Sequence, residues 1–379
     1  PLDGLALAKA VDARDEEPAR ALLWSLERRF AAGHELGDRA KIARELEELW
    51  HSRVDPEVRG RALVALERCD HFRARKPIEE ASLDRDPVLR CAALTAIHGF
   101  AEAERLERAQ RALQDAEPSV RGAAIGLLCA IASKAALLEL VHRMEIEPRE
   151  RLKWRILAFL RARSGLGHGF DPAAWRAWAE SVQGPWSTGP DLAHRGPMGD
   201  TRVQLAGLNL ISDRVAFLVD FSGSTWDTKV GELTRKQVLE RELAKALQAL
   251  PGTTRFNVIP YTNEPIPWEK ALVAATKENV ARAQAFFERC NARGRGNYFD
   301  AVLLAMADPE VDSIVALTDG VPTGGHRWNM PLMVELLIER DRFRQVAFDA
   351  ILVDAPRSRV QDWTRLAEVT GGRCVEAKW

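Results

Sequence analysis

The sequence is marked first by what it has little of. It holds two tyrosines in 379 residues and no Cys-x-x-Cys pair. It also lacks any apolar run near the roughly 20 residues that a membrane helix needs. Without the short cysteine spacing, the usual zinc and redox sites have no sequence support. Five cysteines are an odd number, so at least one thiol is unpaired within a monomer. A disulfide scaffold is not expected at this size, and Cys69, Cys91 and Cys129 fall in apolar helical patterns as core positions. Net charge is nearly absent, with 54 basic residues against 55 acidic. That balance argues against a strongly basic nucleic-acid binder and against an acidic disordered chain. Gly and Pro, 25 and 19 residues, are too few for low complexity.

Catalytic signatures are missing too. The eight histidines are scattered, without a His-Glu-x-x-His pattern, and no phosphate-cradling Gly-x-x-x-x-Gly-Lys-Ser/Thr loop occurs. Ser222 and Ser224 lack the Gly-x-Ser-x-Gly elbow and an identifiable histidine partner. Cys290 and Cys374 have no activating neighbour in sequence. The expectation is a chain without enzymatic activity. It begins at Pro1, not Met, which reads as a processed or truncated chain and leaves its location open.

What is present begins with length. A chain this long, 46% apolar, has ample material for a core and is expected to form two domains. The first half is a repeat. Asp55-Pro56, Asp86-Pro87, Glu117-Pro118 and Glu147-Pro148 recur about every 31 residues, each followed by an arginine: Arg59, Arg90, Arg121 and Arg151. An acid at the helix N-cap with Pro at the first helical position is a start signal. The carboxylate accepts orphan backbone N–H groups, and Pro has none to satisfy. The first three units carry one apolar ladder: Val58, Ala62, Ala65, Leu66, Cys69; Leu89, Ala93, Ala96, Ile97, Phe100; Val120, Ala124, Leu127, Leu128, Ile131. Offsets of four, seven, eight and eleven define one helix face.

Further helices are expected over 76–84, 104–114 and 134–144, so each unit is a helix pair that must stack on its neighbours to bury its stripe. A pair around 17–30 and 38–50 is expected to cap the front. In the fourth unit the ladder slips by two, to Leu152, Ile156, Phe159 and Leu160, which reads as a rear cap. The arginine ladder is expected to pair inside the stack. With 29 basic against 28 acidic residues over 1–163, no positive field is available. The pattern Asp-Pro-x-Val-Arg-x-x-Ala-x-x-Ala-Leu resembles short HEAT-type repeats, over roughly 17–163. That resemblance implies a scaffold or a partner-binding surface.

Residues 164–201 form a connector rich in Gly, Pro and Trp, including Gly165, Gly167, Gly169, Trp175, Trp178, Gly184, Pro185 and Trp186. Its tryptophans are expected to pin it against a domain.

From residue 202 apolar runs alternate with amphipathic helices. Val215–Val219, Asn257–Ile259, Ile314–Leu317 and Val346–Val353 read as strands, and 232–250, 277–290, 298–307, 332–340 and 361–369 as helices. Segments 204–210 and 266–268 are expected to add an edge strand or hairpin. Strands alternating with helices point to a doubly wound, mainly parallel sheet covered on both faces. The binding crevice of such a sheet lies at the carboxyl ends of its strands. Two motifs stand there: Asp220-Phe221-Ser222-Gly223-Ser224, and Thr318-Asp319-Gly320. They offer hard oxygen donors of the kind that Mg²⁺ takes.

The two motifs, with the ending Leu366-Ala367-Glu368-Val369-Thr370-Gly371-Gly372, resemble a von Willebrand factor type A (VWA) domain over roughly 202–379. The resemblance implies a Rossmann-like fold and a metal-ion-dependent adhesion site. Its ligands would be Asp220, Ser222, Ser224 and Asp319, and its metal Mg²⁺, Mn²⁺ or Ca²⁺. The family's middle loop, Gly-Gly-Thr-Asn-x-x-Asp-Ala, reads Arg295-Gly296-Asn297-Tyr298-Phe299-Asp300-Ala301 here. Gly296 stands where the family has a metal-binding Thr. Either water or Asn297 replaces that hydroxyl at a weaker metal site, or the Arg295 guanidinium neutralises Asp220 and Asp319 without metal. Asp300 is expected to fix its loop.

Trp226 and Trp328 are candidate partner contacts at the rim. The reading is an interaction protein whose partner presents an acidic side chain. The rival is an RNA-binding protein of Ro-like architecture, which also joins helical repeats to a VWA-like domain; the charge balance opposes it. A repeat-based enzyme such as a bilin lyase is remote.

Overall fold

A computed structural model describes residues 17–34, 38–183 and 203–377. Two compact units appear among them. The first holds α1 (Glu17–Ala31), α2 (Arg39–His51), α3 (Pro56–Cys69), α4 (His71–Ser82), α5 (Pro87–Ala96), α6 (Glu102–Ala112), α7 (Pro118–Cys129) and α8 (Lys134–Ile146). The repeat logic is visible atom by atom. Asp55 and Asp86 accept the N–H groups of Glu57 and Val88 at 2.8 and 2.9 Å, capping α3 and α5. Glu117 makes no such side-chain cap. Asp115 accepts the Glu117 N–H at 2.9 Å, as Asp84 accepts that of Asp86 at 2.8 Å in the preceding repeat. Every member of the three apolar ladders is buried, none more than 6% exposed. Helix α4 begins earlier than expected because Asp70 caps it, and it runs through Pro77.

The first three arginines of the ladder are spent inside the array; the fourth, Arg151, lies in the second unit. The Arg59 Nε donates to the Trp50 carbonyl at 2.9 Å. Arg90 grips Asp115 through two hydrogen bonds, 2.7 and 2.8 Å, and also donates to the carbonyls of Asp84 and Arg85. Arg121 donates to the carbonyls of Asp115 and Ala116. These guanidinium groups therefore stitch the turns between helices.

The units do not follow the expected linear division at 163 and 201. Helix α9 (Glu150–Ser164), expected as the rear cap, belongs to the second unit. Its slipped apolar face has a different neighbour. Arg151 donates to the carbonyls of Gln345 and Thr370, and Arg155 donates to the Gln345 side chain at 2.9 Å. The connector helix α10 (Pro172–Ser181) belongs to the first unit, with Trp175 fully buried and Lys134 bonded to the Glu180 carbonyl. The connector's Gly184, Pro185 and Trp186 lie outside the described residues.

The second unit is built on a six-stranded sheet. Its strands are β3 (Arg214–Asp220), β6 (Arg255–Tyr261), β7 (Val273–Ala274), β8 (Ser313–Thr318), β9 (Ala347–Val353) and β10 (Cys374–Ala377). The order is β10-β9-β8-β3-β6-β7; only the edge strand β7 is antiparallel. A separate hairpin pairs β1 (Val203–Leu205) with β2 (Leu208–Leu210), and β4 (Lys229–Val230) pairs with β5 (Leu233–Thr234). Segment 266–268 runs beside β6, with the Trp268 ring stacked on Phe256 at 5.4 Å.

Period-two alternation splits the core in two. Val215, Phe217 and Val219 face α12 (Arg235–Ala249) and α13 (Lys277–Arg289). Ala216 and Leu218 face α14 (Tyr298–Met306), α15 (Met330–Asp341) and α16 (Arg357–Thr370). The closing glycines have distinct reasons. Gly371 ends α16 at φ +79°, and a Cβ on Gly372 would stand 2.2 Å from the Phe348 carbonyl. Because β3 has β6 on one side and β8 on the other, the switch in strand order lies at its carboxyl end.

Candidate functional site at the strand switch

Strands β3 and β8 end side by side, and their next residues build the site. Asp220 is buried. Its Oδ1 accepts the Ser222 N–H at 2.8 Å, and its Oδ2 accepts the Thr318 hydroxyl at 2.7 Å. The Ser222 and Ser224 hydroxyl oxygens lie 3.1 Å apart, and the Ser224 hydroxyl donates to Asp319 Oδ2 at 2.5 Å. Asp319 Oδ1 accepts the Val321 N–H at 3.2 Å. Helix α11 (Gly223–Asp227) starts within the first motif and leaves Ser224 exposed, while Ser222 and Asp319 are buried. The four expected ligands thus form one cluster open at Ser224. Burial, with the Asp319 charge beside it, pushes the Asp220 carboxyl up to about 6, against the hydrogen bonds from Ser222 and Thr318.

The middle loop also reaches the site. A Cβ on Gly296 would stand 3.4 Å from Asp220 Oδ1 and 3.6 Å from the Ser222 Cβ. Residue 296 therefore faces the carboxylate, and a Thr there would add a donor directly. The Gly296 N–H is held by the Thr323 hydroxyl at 3.2 Å.

Asn297 does not take the missing hydroxyl's place. It caps α14, and its amide donates to the Asn263 carbonyl and to Asp300 at 2.9 and 2.6 Å. Asp300 is thereby a loop-fixing acid. Arg295 is exposed and makes no ion pair with Asp220 or Asp319 among the described residues; its backbone N–H bonds Asn263. The guanidinium at the site is that of Arg235, the first residue of α12. It donates to Asp319 Oδ2 at 3.0 Å and to Asp354 Oδ2 at 2.6 Å. This corrects the expected source of neutralisation, and it reaches Asp319 alone. A signal for it was available: a cation directly after the Thr234 cap sits where the helix dipole disfavours positive charge.

The two candidate contact tryptophans differ in exposure and surroundings. Trp226 is folded against its own loop, edge-on to Phe221, with Lys236 and Arg293 over its ring at 4.7 and 4.9 Å. Trp328 is 60% exposed. The donor chemistry fits a hard divalent cation at reduced strength. Ser222, Ser224 and Asp319 bring oxygen donors together from two loops, and the Gly296 position supplies none.

The switch-point site and the strand order give the second unit a von Willebrand A-like α/β fold, preceded in sequence by a helical array. No family model matches the chain. Inter-alpha-trypsin inhibitor heavy chain 4 of Mus musculus is 34% identical over 130 residues, covering 31% of this chain and 13% of that protein. Heavy chain H2 of Homo sapiens is 31% identical over 130 residues with the same shares. The match thus spans about an eighth of these relatives' length. Among solved structures, a von Willebrand factor type A protein from Catenulispora acidiphila gives a TM-score of 0.37 at 16% identity, covering 45% of this chain and 40% of that one. BatB from Bacteroides thetaiotaomicron gives 0.32 at 14%, covering 43% and 88%.

Proposed function

We propose that the chain is a protein-interaction scaffold without enzymatic activity, whose α/β domain grips an acidic side chain of a protein partner at the strand switch. The observation that carries this reading is the convergence of Ser222, Ser224 and Asp319 on one open cluster beside the buried Asp220. A divalent cation, Mg²⁺ or in its place Mn²⁺ or Ca²⁺, would be held by Ser222, Ser224 and Asp319, with Asp220 supporting Ser222. It would supply a positive centre for a partner carboxylate. The residues themselves orient the contact: Thr318 locks Asp220, the first motif presents Ser224 to solvent, and Trp328 offers an exposed aromatic for partner contact.

The helical array, of HEAT type in this reading, supplies a second surface. Relatives named as heavy chains of an inhibitor support a binding role. Internal commitment of Arg59, Arg90 and Arg121 to carbonyls and Asp115 supports protein over RNA as partner.

The test is capture on the immobilised full chain, in Mg²⁺ and in EDTA, with Ser224→Ala as control. Partner retention that needs Mg²⁺ and disappears in Ser224→Ala is expected. Retention unaffected by both would overturn the reading.

A further inference from the structure

The site already holds a cation of its own. We infer that Arg235 is a resident counter-ion that competes with a divalent cation for Asp319, so that the site rests in a guanidinium-closed state. This inference deepens the proposed function and rests on it.

Three observations carry it. The first is lone-pair accounting. A carboxylate offers about four acceptor directions. Asp319 Oδ2 already takes the Ser224 hydroxyl and the Arg235 guanidinium, and Oδ1 takes the Val321 N–H. A metal held by Ser224 and Asp319 frees one Oδ2 direction when the Ser224 proton turns away, but the Arg235 guanidinium stays on the same oxygen and sets a positive charge against the incoming cation.

The second is the placement of Arg235. It is the first residue of α12, where the helix dipole is unfavourable to positive charge. Helix start-up does not need it, because Thr234 and Gln237 form a complete capping box. The two acids account for its position instead.

The third is the second anchor. Asp354 adopts a left-handed backbone at φ +54°, a conformation that Asp tolerates better than most residues, and its carboxylate reaches the other guanidinium nitrogen at 2.6 Å. Asp354 is itself exposed, so it holds Arg235 from the solvent side while Asp319 holds it from within. The planar fork spans both acids at once, which a lysine cannot do. A guanidinium also cannot shed its proton to make way for a metal. Opening the site therefore means swinging Arg235 away from Asp319, and Asp354 is the acid positioned to retain it.

The experiment is calorimetric titration of Mn²⁺ into the full chain at pH 7.5. The variants are the parent, Arg235→Gln, Arg235→Lys, Ser224→Ala and Arg235→Gln/Ser224→Ala, with circular dichroism as the folding check. Arg235→Gln is expected to bind Mn²⁺ at least tenfold more tightly than the parent, with Arg235→Lys in between. Addition of Ser224→Ala should remove the gain. Arg235→Lys carries the test alone should the Gln variant fail to fold. Affinity in Arg235→Gln equal to or weaker than the parent, with binding still lost in Ser224→Ala, overturns the competition and leaves the proposed site intact. Absence of Mn²⁺ binding in both parent and Arg235→Gln overturns the competition together with the metal reading.

Discussion

Replacing Asp220 by Asn should stabilise the protein near neutral pH and stop doing so in acid. Asp220 is buried, and its carboxyl is pushed from 3.8 up to about 6. The folded state thus keeps a proton that the unfolded state releases at lower pH. The resulting contribution is fully present below about pH 4 and is lost as pH rises through about 6. A shift of roughly two units corresponds to about 3 kcal/mol held against the charged, folded state at pH 7.5. Asn keeps an oxygen for the Ser222 N–H but offers an N–H₂ to the Thr318 hydroxyl, which loses its acceptor, at about 1 kcal/mol. The net gain is about 1–2 kcal/mol, or roughly 2–8 °C in thermal midpoint for a unit of this size.

The assay is thermal unfolding of parent and Asp220→Asn in EDTA at pH 7.5 and pH 4.5. The variant should melt higher at pH 7.5 and level with or below the parent at pH 4.5. Other buried acids, Asp312 and Asp341, titrate in both proteins, so the difference between them isolates Asp220. The same difference at both pH values, or a less stable variant at pH 7.5, would mean that burial does not disfavour the charged Asp220 carboxylate.

Gly296→Thr places its Cβ 3.4 Å from Asp220 Oδ1, a tight but open approach. It should fold with the parent's circular dichroism and bind Mn²⁺ several-fold more tightly by calorimetry. Trp175→Ala removes a fully buried ring and should cost about 3–5 kcal/mol in urea unfolding. Trp328→Ala, at an exposed ring, should stay within about 0.5 kcal/mol of the parent. Arg90→Met leaves Asp115 with only the Glu117 N–H and two turn carbonyls without the guanidinium, and should cost about 2–4 kcal/mol in the same assay. Arg111→Met, at a largely exposed ion pair, should be nearly neutral.

The helical ladder was legible because its cap, its period and its apolar face repeat together. All fifteen ladder positions from Val58 to Ile131 are buried as that spacing requires. The four core strands were legible because each is apolar on both faces, as a covered parallel sheet demands. The fate of α9 was not legible. Its slip from the ladder marked it as different, but its partners, the carbonyls of Gln345 and Thr370, lie about 200 residues away and leave no local trace. Strand β10 escaped for a similar reason, since its four residues pair with β9 and show little pattern of their own.

At the site, the two motifs identify Asp220, Ser222, Ser224 and Asp319 because the strands before them end at the same edge. The guanidinium was harder. Arg295 is adjacent in the loop and was the natural candidate, but its backbone is tied to Asn263 and its side chain is exposed. Arg235 arrives from the start of a helix, and only the fold brings it to Asp319.

The most direct test of the central claim is the calorimetric titration of Mn²⁺ into the full chain and into Ser224→Ala. One saturable site per chain is expected in the parent and none in the variant, whose fold should be unchanged because Ser224 is exposed. Equal binding in both proteins, or no binding in either, would contradict a cation-assisted site at the strand switch.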